Sequence, residues 1–168
     1  MNSRRTEFEA LALPHLDAAY SLARWLARSP ADAEDIVQDA MLRAFRAFEG
    51  ARGETVRPWL MAIVRNCFHD HLARAKRREP TSERLDEAPF EGPTPEAEAA
   101  WASERRKLDR MLGLLPDDYR EVLVLRELED MSYREISDAI GAPIGTVMSR
   151  LARARALLKD RWLAEETP

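Results

Sequence analysis

Apolar residues recur at spacings of three and four over most of the chain, and the places where this rhythm fails divide it into helices and connections. Phe8, Leu11, Leu16, Ala19, Tyr20, Ala23 and Leu26 form the first stripe. Thr6 and Glu9 are suited to cap its start, Pro14 permits a bend or restart, and the helix is expected to end near Arg28. Ser29, Pro30 and Asp32 then combine a serine cap, a proline at the first helical position and a carboxylate three residues after the cap. A second helix is expected over 30–48, with Ala33, Ile36, Val37, Ala40, Ala44, Phe45 and Phe48 inward. Gly50 and Gly53 mark a loop, and Pro58 opens a third helix over 58–78, with Trp59, Leu60, Ile63, Val64, Cys67, Phe68 and Leu72 on its apolar side.

The rhythm stops over 79–95, where Pro80, Pro89, Pro93 and Pro95 fall in an acidic stretch without periodicity. Such a composition reads as a flexible tether, able to reach roughly 3.1 to 3.5 Å per residue when extended. Helical spacing resumes from Glu96 with Ala100, Trp101, Leu108, Met111, Leu112 and Leu115. The pattern is all-α: a three-helix part over 1–78, an acidic proline-rich linker over 79–95, and a four- or five-helix part over 96–168.

Within the last part the joints are marked by residue chemistry. Pro116 suits a first helical turn, Ser132 with Glu135 spells a capping box, Gly141 can take the left-handed conformation that ends a helix, and Pro143 cannot continue it. A final helix starting between 144 and 146 places Val147, Leu151, Ala154 and Leu158 inward, which leaves Ser149, Arg150, Arg153 and Arg155 largely outside. Two helices, a glycine-containing turn and a basic outer face together make a helix-turn-helix that reads DNA.

The net charge of −4 looks wrong for that role until it is split by position. Residues 1–78 carry 13 basic and 10 acidic side chains, 79–104 carry 1 and 8, and 105–168 carry 12 of each, so the acid is concentrated in the middle. The segments 65–78 and 146–161 are each +4, which suggests two contacts on one polyanion. Cys67 is the single cysteine and sits on an apolar stripe, so it is expected to be buried, and no intrachain disulfide can form. His69 and His71 are two apart on a helix and diverge, which argues against a shared metal, and no phosphate-binding glycine loop or nucleophile elbow occurs. An enzyme and a cofactor are therefore not expected. The longest uncharged apolar stretch, near 59–64, is too short to span a bilayer, and the N-terminus lacks a signal-like apolar run. A cytoplasmic protein is expected.

The second helix (ADAEDIVQDAMLRAF), the third (WLMAIVRNCFHDHLARAKRR) and the stretch LPDDYREVLVLRELEDMSYREISDAIGAPIGTVMSRLARAR, in that order, resemble the extracytoplasmic function sigma factors of the sigma-70 family. The resemblance covers nearly all of the chain outside the linker and termini. It implies a three-helix sigma-2 domain and a helix-turn-helix sigma-4 domain that bind core RNA polymerase and direct it to promoter DNA, in a stress response. Composition alone explains the polarised face of the second helix by the helix dipole; the resemblance makes Asp35, Gln38, Asp39 and Arg43 contacts to the coiled coil of the polymerase beta-prime subunit. It implies that Asn66, His69, Arg74, Arg77 and Arg78 meet the −10 element, and that Ser132, Tyr133, Arg134, Met148, Ser149, Arg150, Ala152, Arg153 and Arg155 meet the −35 element. Met148 and Ala152 depart from the basic or larger side chains of some relatives, so the −35 sequence read here is the chain's own. The beta flap of the polymerase and an anti-sigma factor are further implied partners. The rival reading is a sigma-like adaptor that sequesters an anti-sigma factor without binding DNA, for which the two basic segments would be unnecessary.

Overall fold

The computed structural model describes residues 2–50, 55–78 and 97–167; the linker expected over 79–95 lies outside the described residues. Every regular element among them is helical: α1 (Asn2–Ala12), a 3-10 turn (Leu13–His15), α2 (Leu16–Ala27), α3 (Pro30–Ala47), α4 (Val56–Arg78), α5 (Ala97–Gly113), α6 (Asp117–Leu123) running into a π-helical turn (Val124–Leu128), α7 (Tyr133–Ile140) and α8 (Ile144–Glu166).

The N-terminal half differs from the sequence expectation in three ways. The first helix starts by Asn2, so Thr6 lies inside it and not at its N-cap. Its anchor is tertiary: Arg4 donates from Nε to the carbonyl of Phe48 at 3.1 Å and from Nη2 to those of Phe45 and Arg46 at 3.0 and 3.1 Å, satisfying the last carbonyls of α3. Phe8 packs edge-on against Phe45 and Phe48. Pro14 then interrupts the ladder, and the 3-10 turn divides the single expected helix into α1 and α2, giving four helices rather than three. Finally, α4 begins at Val56, two residues before Pro58, because proline is tolerated throughout a first turn whose N–H groups have no partner.

Other joints are where the local chemistry puts them. Ser29 accepts a bond from the Asp32 amide and caps α3, and Ser132 accepts one from the Glu135 amide at 3.1 Å and caps α7. Gly141 closes α7 at φ 67°, a left-handed conformation that costs a residue with a Cβ more than it costs glycine. Cys67 is buried, and that burial pushes its thiol up to about 11, so it behaves as a small apolar residue rather than a nucleophile.

The two halves are packed together. One continuous apolar core runs from Phe8 and Leu22 through Leu60 and Val64 to Leu123, Ile136 and Leu151, with α4 against α7 and α2 against α6 and the π-helical turn. Among the described residues no helix is long and apolar enough to cross a membrane.

Candidate nucleic-acid and polymerase interfaces

The helix-turn-helix is built by α7, the three residues 141–143, and α8. After Gly141 the carbonyl of Pro143 takes bonds from the amides of Thr146 and Val147, which starts α8 without a side-chain cap. Val147, Leu151 and Ala154 are buried and moor α8 against α6 and α7; Leu158, expected in the same stripe, is half-buried. The opposite face holds Ser149, Ala152 and Arg153, all exposed, and Met148 stands 53% exposed on its flank.

The arginines expected on this face are not equivalent. Arg150 is half-buried and 3.8 Å from Asp118, and Arg155 donates to Glu127 at 2.9 and 2.5 Å. Arg153 and Arg134 are exposed and make no ion pair among the described residues. Ser132 is committed to its cap, Tyr133 lies half-buried beneath the Arg126 guanidinium at 5.0 Å, and the Ser149 hydroxyl donates back to Thr146. Arg153, Arg134, Met148 and Ala152 are therefore the side chains available to an approaching groove.

On α3, Asp35 and Gln38 are exposed beside Leu42, which is 55% exposed. Asp39 and Arg43 are tied into a network instead: Arg43 bridges Asp39 at 2.8 Å and Asp70 at 2.6 Å, and Arg74 lies 3.8 Å from Asp39. The expected polymerase face of α3 and the expected −10 face of α4 thus share charges. Arg77 and Arg78 are exposed at the end of α4, and Asn66 is exposed one residue from the Arg65 guanidinium.

His69 faces the other half of the molecule. Its Nε2 lies 3.3 Å from Oε1 of Glu121, which also accepts from Arg65 and is 1% exposed. Burial pushes the Glu121 carboxyl up, but the hydrogen bonds from His69 and Arg65 and their charges outweigh it, and the group is held below the usual carboxylate range. Glu129 is 3% exposed and pairs with Arg57 at 3.2 Å; its second oxygen is buried without a hydrogen bond, and burial raises its carboxyl above the usual range. Arg28, in left-handed conformation at the end of α2, donates to the Asp109 carbonyl at 2.7 Å and carboxylate at 3.2 Å. Its guanidinium occupies the space a Cβ on Gly113 would need. Periodicity does not reveal these partners; the one sequence signal is a glutamate abutting the apolar run 122–125.

The two carboxylates pull the acid response in opposite directions. A lowered folded value makes Glu121 contribute stability above the unfolded carboxylate value of about 4.3 and lose it as pH falls through the folded value. Glu129, being raised, destabilises at neutral pH and ceases to do so on acidification. Glu121→Gln should therefore lose stability relative to the wild-type chain at pH 6 to 7, and the gap should close below about pH 4.3. Urea unfolding of both chains from pH 7 down to about pH 2.5, below the unfolded carboxylate value, checks this; a gap that does not change with pH over that range would remove the ion pair as its cause.

A groove of about 410 Å3 opens between α5, α6 and α8, with Leu108, Leu112, Leu123 and Trp162 among its walls and Glu127 and Lys159 beside it.

Two family descriptions match this architecture: "Sigma-70 region 2" over residues 11–78 and "Sigma-70, region 4" over 105–158. The chain is 35% identical over 162 residues to the ECF RNA polymerase sigma factor SigE of Mycolicibacterium smegmatis, covering 95% of this chain and 63% of that protein. It is 32% identical over 150 residues to the ECF RNA polymerase sigma-E factor of Haemophilus influenzae, covering 83% of this chain and 78% of that one. Among solved structures it is similar to the sigma factor RpoE of Bartonella quintana in complex with the anti-sigma factor NepR, with a TM-score of 0.74, 26% identity, and coverage of 92% and 96% of the two chains.

Proposed function

The chain belongs to the extracytoplasmic function group of the sigma-70 family, and from that premise we propose that it carries core RNA polymerase to a particular set of promoters. Sigma factors are initiation factors and not enzymes; RNA synthesis is the polymerase's chemistry. This chain's part is recognition. The observation that carries the reading is the exposed outer face of α8, where Arg153 and Met148 are presented on a helix fixed by a buried stripe. An arginine fork can grip a guanine edge bidentately, and an apolar side chain can meet a thymine methyl. The −35 element is assigned to this face, with Arg134 of α7 on the backbone beside it, and Arg150 and Arg155 as cations that first release Asp118 and Glu127. The −10 element is assigned to α4 through Asn66, His69, Arg74, Arg77 and Arg78.

Asp35 and Gln38, with exposed Leu42 between polar neighbours, support a polymerase contact on α3, to which Asp39 and Arg43 contribute through the shared network. The groove beside Trp162 suits an amphipathic helix, and the beta flap of the polymerase is assigned to it. An anti-sigma factor, as in the structural neighbour from Bartonella quintana, is the expected inhibitor. The site of action is the cytoplasm, where the polymerase is, and the regulated genes belong to a stress response. Gln38→Ala combined with Asp39→Arg should abolish co-elution with core polymerase on gel filtration while leaving the helical spectrum intact. Full co-elution of that variant would take the polymerase face away from α3.

A further inference from the structure

The outward side of α8 carries an apolar stripe of its own. Ile144, Met148, Ala152 and Ala156 follow one another at intervals of four, and all are exposed, Ile144 at 43% and Met148 at 53%. Residues four apart stack along one side of a helix, so this stripe is separate from the buried Val147, Leu151 and Ala154 that moor α8. Cations border it. Arg153 stands one position beyond Ala152, Arg155 about one turn beyond it, and Lys159 one turn further, all exposed. A single exposed apolar side chain needs no explanation, but here the two large ones line up beside the face assigned to DNA. At 1.5 Å of rise per residue, Ile144 to Ala152 covers about 12 Å, the length of roughly three to four base pairs at 3.4 Å each.

Resting on the reading of α8 as the −35 helix, we propose that Ile144, Met148 and Ala152 form one stripe that selects thymines by their 5-methyl groups, next to the position of Arg153. In the major groove the thymine methyl is the apolar group at a base edge; the other groups there are hydrogen-bond donors and acceptors. None of the three side chains can donate a hydrogen bond, so a methyl is the group they gain most from meeting. Cytosine in the same place turns its amino donor toward them and leaves it unpaired, which costs binding. The bordering arginines decide between DNA and a protein as the occupant. A DNA groove sets phosphates on both walls around a floor of base edges, whereas an apolar ridge of a protein leaves Arg153 without a counter-charge. The −35 element used by this chain is therefore read by methyl groups along one edge of α8 and by a polar contact of Arg153 beside it.

The test compares promoter templates that differ in methyl groups alone. Holoenzyme reconstituted from the full chain and core polymerase of the same organism, kept below saturation, is offered a promoter it uses, with each −35 thymine replaced in turn by deoxyuridine. The two bases pair alike, so only the methyl is removed. Initiation should fall about fourfold at each thymine that faces the stripe, the equivalent of about 0.8 kcal/mol for one buried carbon group. Ile144→Ala with Met148→Ala should close the gap between the templates, and Met148→Leu, which stays long and apolar, should keep it. All three positions altered are exposed or alanine-compatible helix positions, so the fold tolerates these changes. Equal initiation from thymine and deoxyuridine templates at every −35 position, or a gap as wide in the double-alanine chain, would overturn the proposal and leave the stripe to a protein partner. A −35 element without thymine on either strand would overturn it too. If no promoter is used at all, the proposed function fails together with this proposal; initiation that is blind to the methyls defeats this proposal alone.

Discussion

Arg153→Ala should lower initiation from the chain's own promoters by about 5- to 150-fold, the equivalent of about 1 to 3 kcal/mol for a bidentate base contact. The effect is concentrated at this residue because the neighbouring cations are engaged. Arg155 is held by Glu127 through two bonds and Arg150 lies against Asp118, so each gives up an intramolecular partner before it meets DNA, whereas Arg153 gives up none among the described residues. Arg155→Ala, which loses one exposed pair worth about 0 to 1 kcal/mol, should do much less. Run-off transcription on the native promoter and on one with a scrambled −35 element separates two roles. If Arg153 reads a base, its loss narrows the gap between the templates; if it holds a phosphate, both fall together.

Leu151→Ala should destabilise the C-terminal half by about 2 to 5 kcal/mol. Leu151 is 1% exposed and lies midway along the stripe that holds α8 to α6 and α7. Alanine leaves a void that helices in close packing fill only in part. Against a whole-domain stability of about 5 to 15 kcal/mol, this is enough to free α8 in a measurable fraction of molecules. Recognition of the −35 element should fail first, since α8 packs on α5, α6 and α7 within the C-terminal half. Urea unfolding gives the magnitude. A loss under 1 kcal/mol would mean that α8 is held by something other than the Val147, Leu151 and Ala154 stripe.

What the sequence reveals here is what short-range chemistry writes into it. Ser29 and Ser132 announce the starts of α3 and α7, and Gly141 the end of α7, since each satisfies backbone groups within four residues of itself. The stripe of α8 is legible from spacing alone. The start of α1 is not, because the bonds that secure it run from Arg4 to carbonyls more than forty residues away. The π-helical turn at Val124–Leu128 leaves no mark in the apolar rhythm either. The closed arrangement of the halves depends on Arg57, Arg65 and His69 meeting carboxylates 52 to 72 residues along the chain. Nothing in the spacing along the chain pairs these residues; only the fold brings them together. The candidate DNA face was legible as a set of residues, but which arginines remain unpaired follows from where Asp118 and Glu127 lie.

On the proposed function, this polypeptide gives a polymerase its choice of promoter. Core RNA polymerase from the same organism, reconstituted with the full chain and offered a pool of its genomic DNA fragments, should start RNA at a small group of sites that share one −35 and one −10 sequence, and at none of them without the chain. Identical start sites with and without the chain, or no starts at all, would contradict the account.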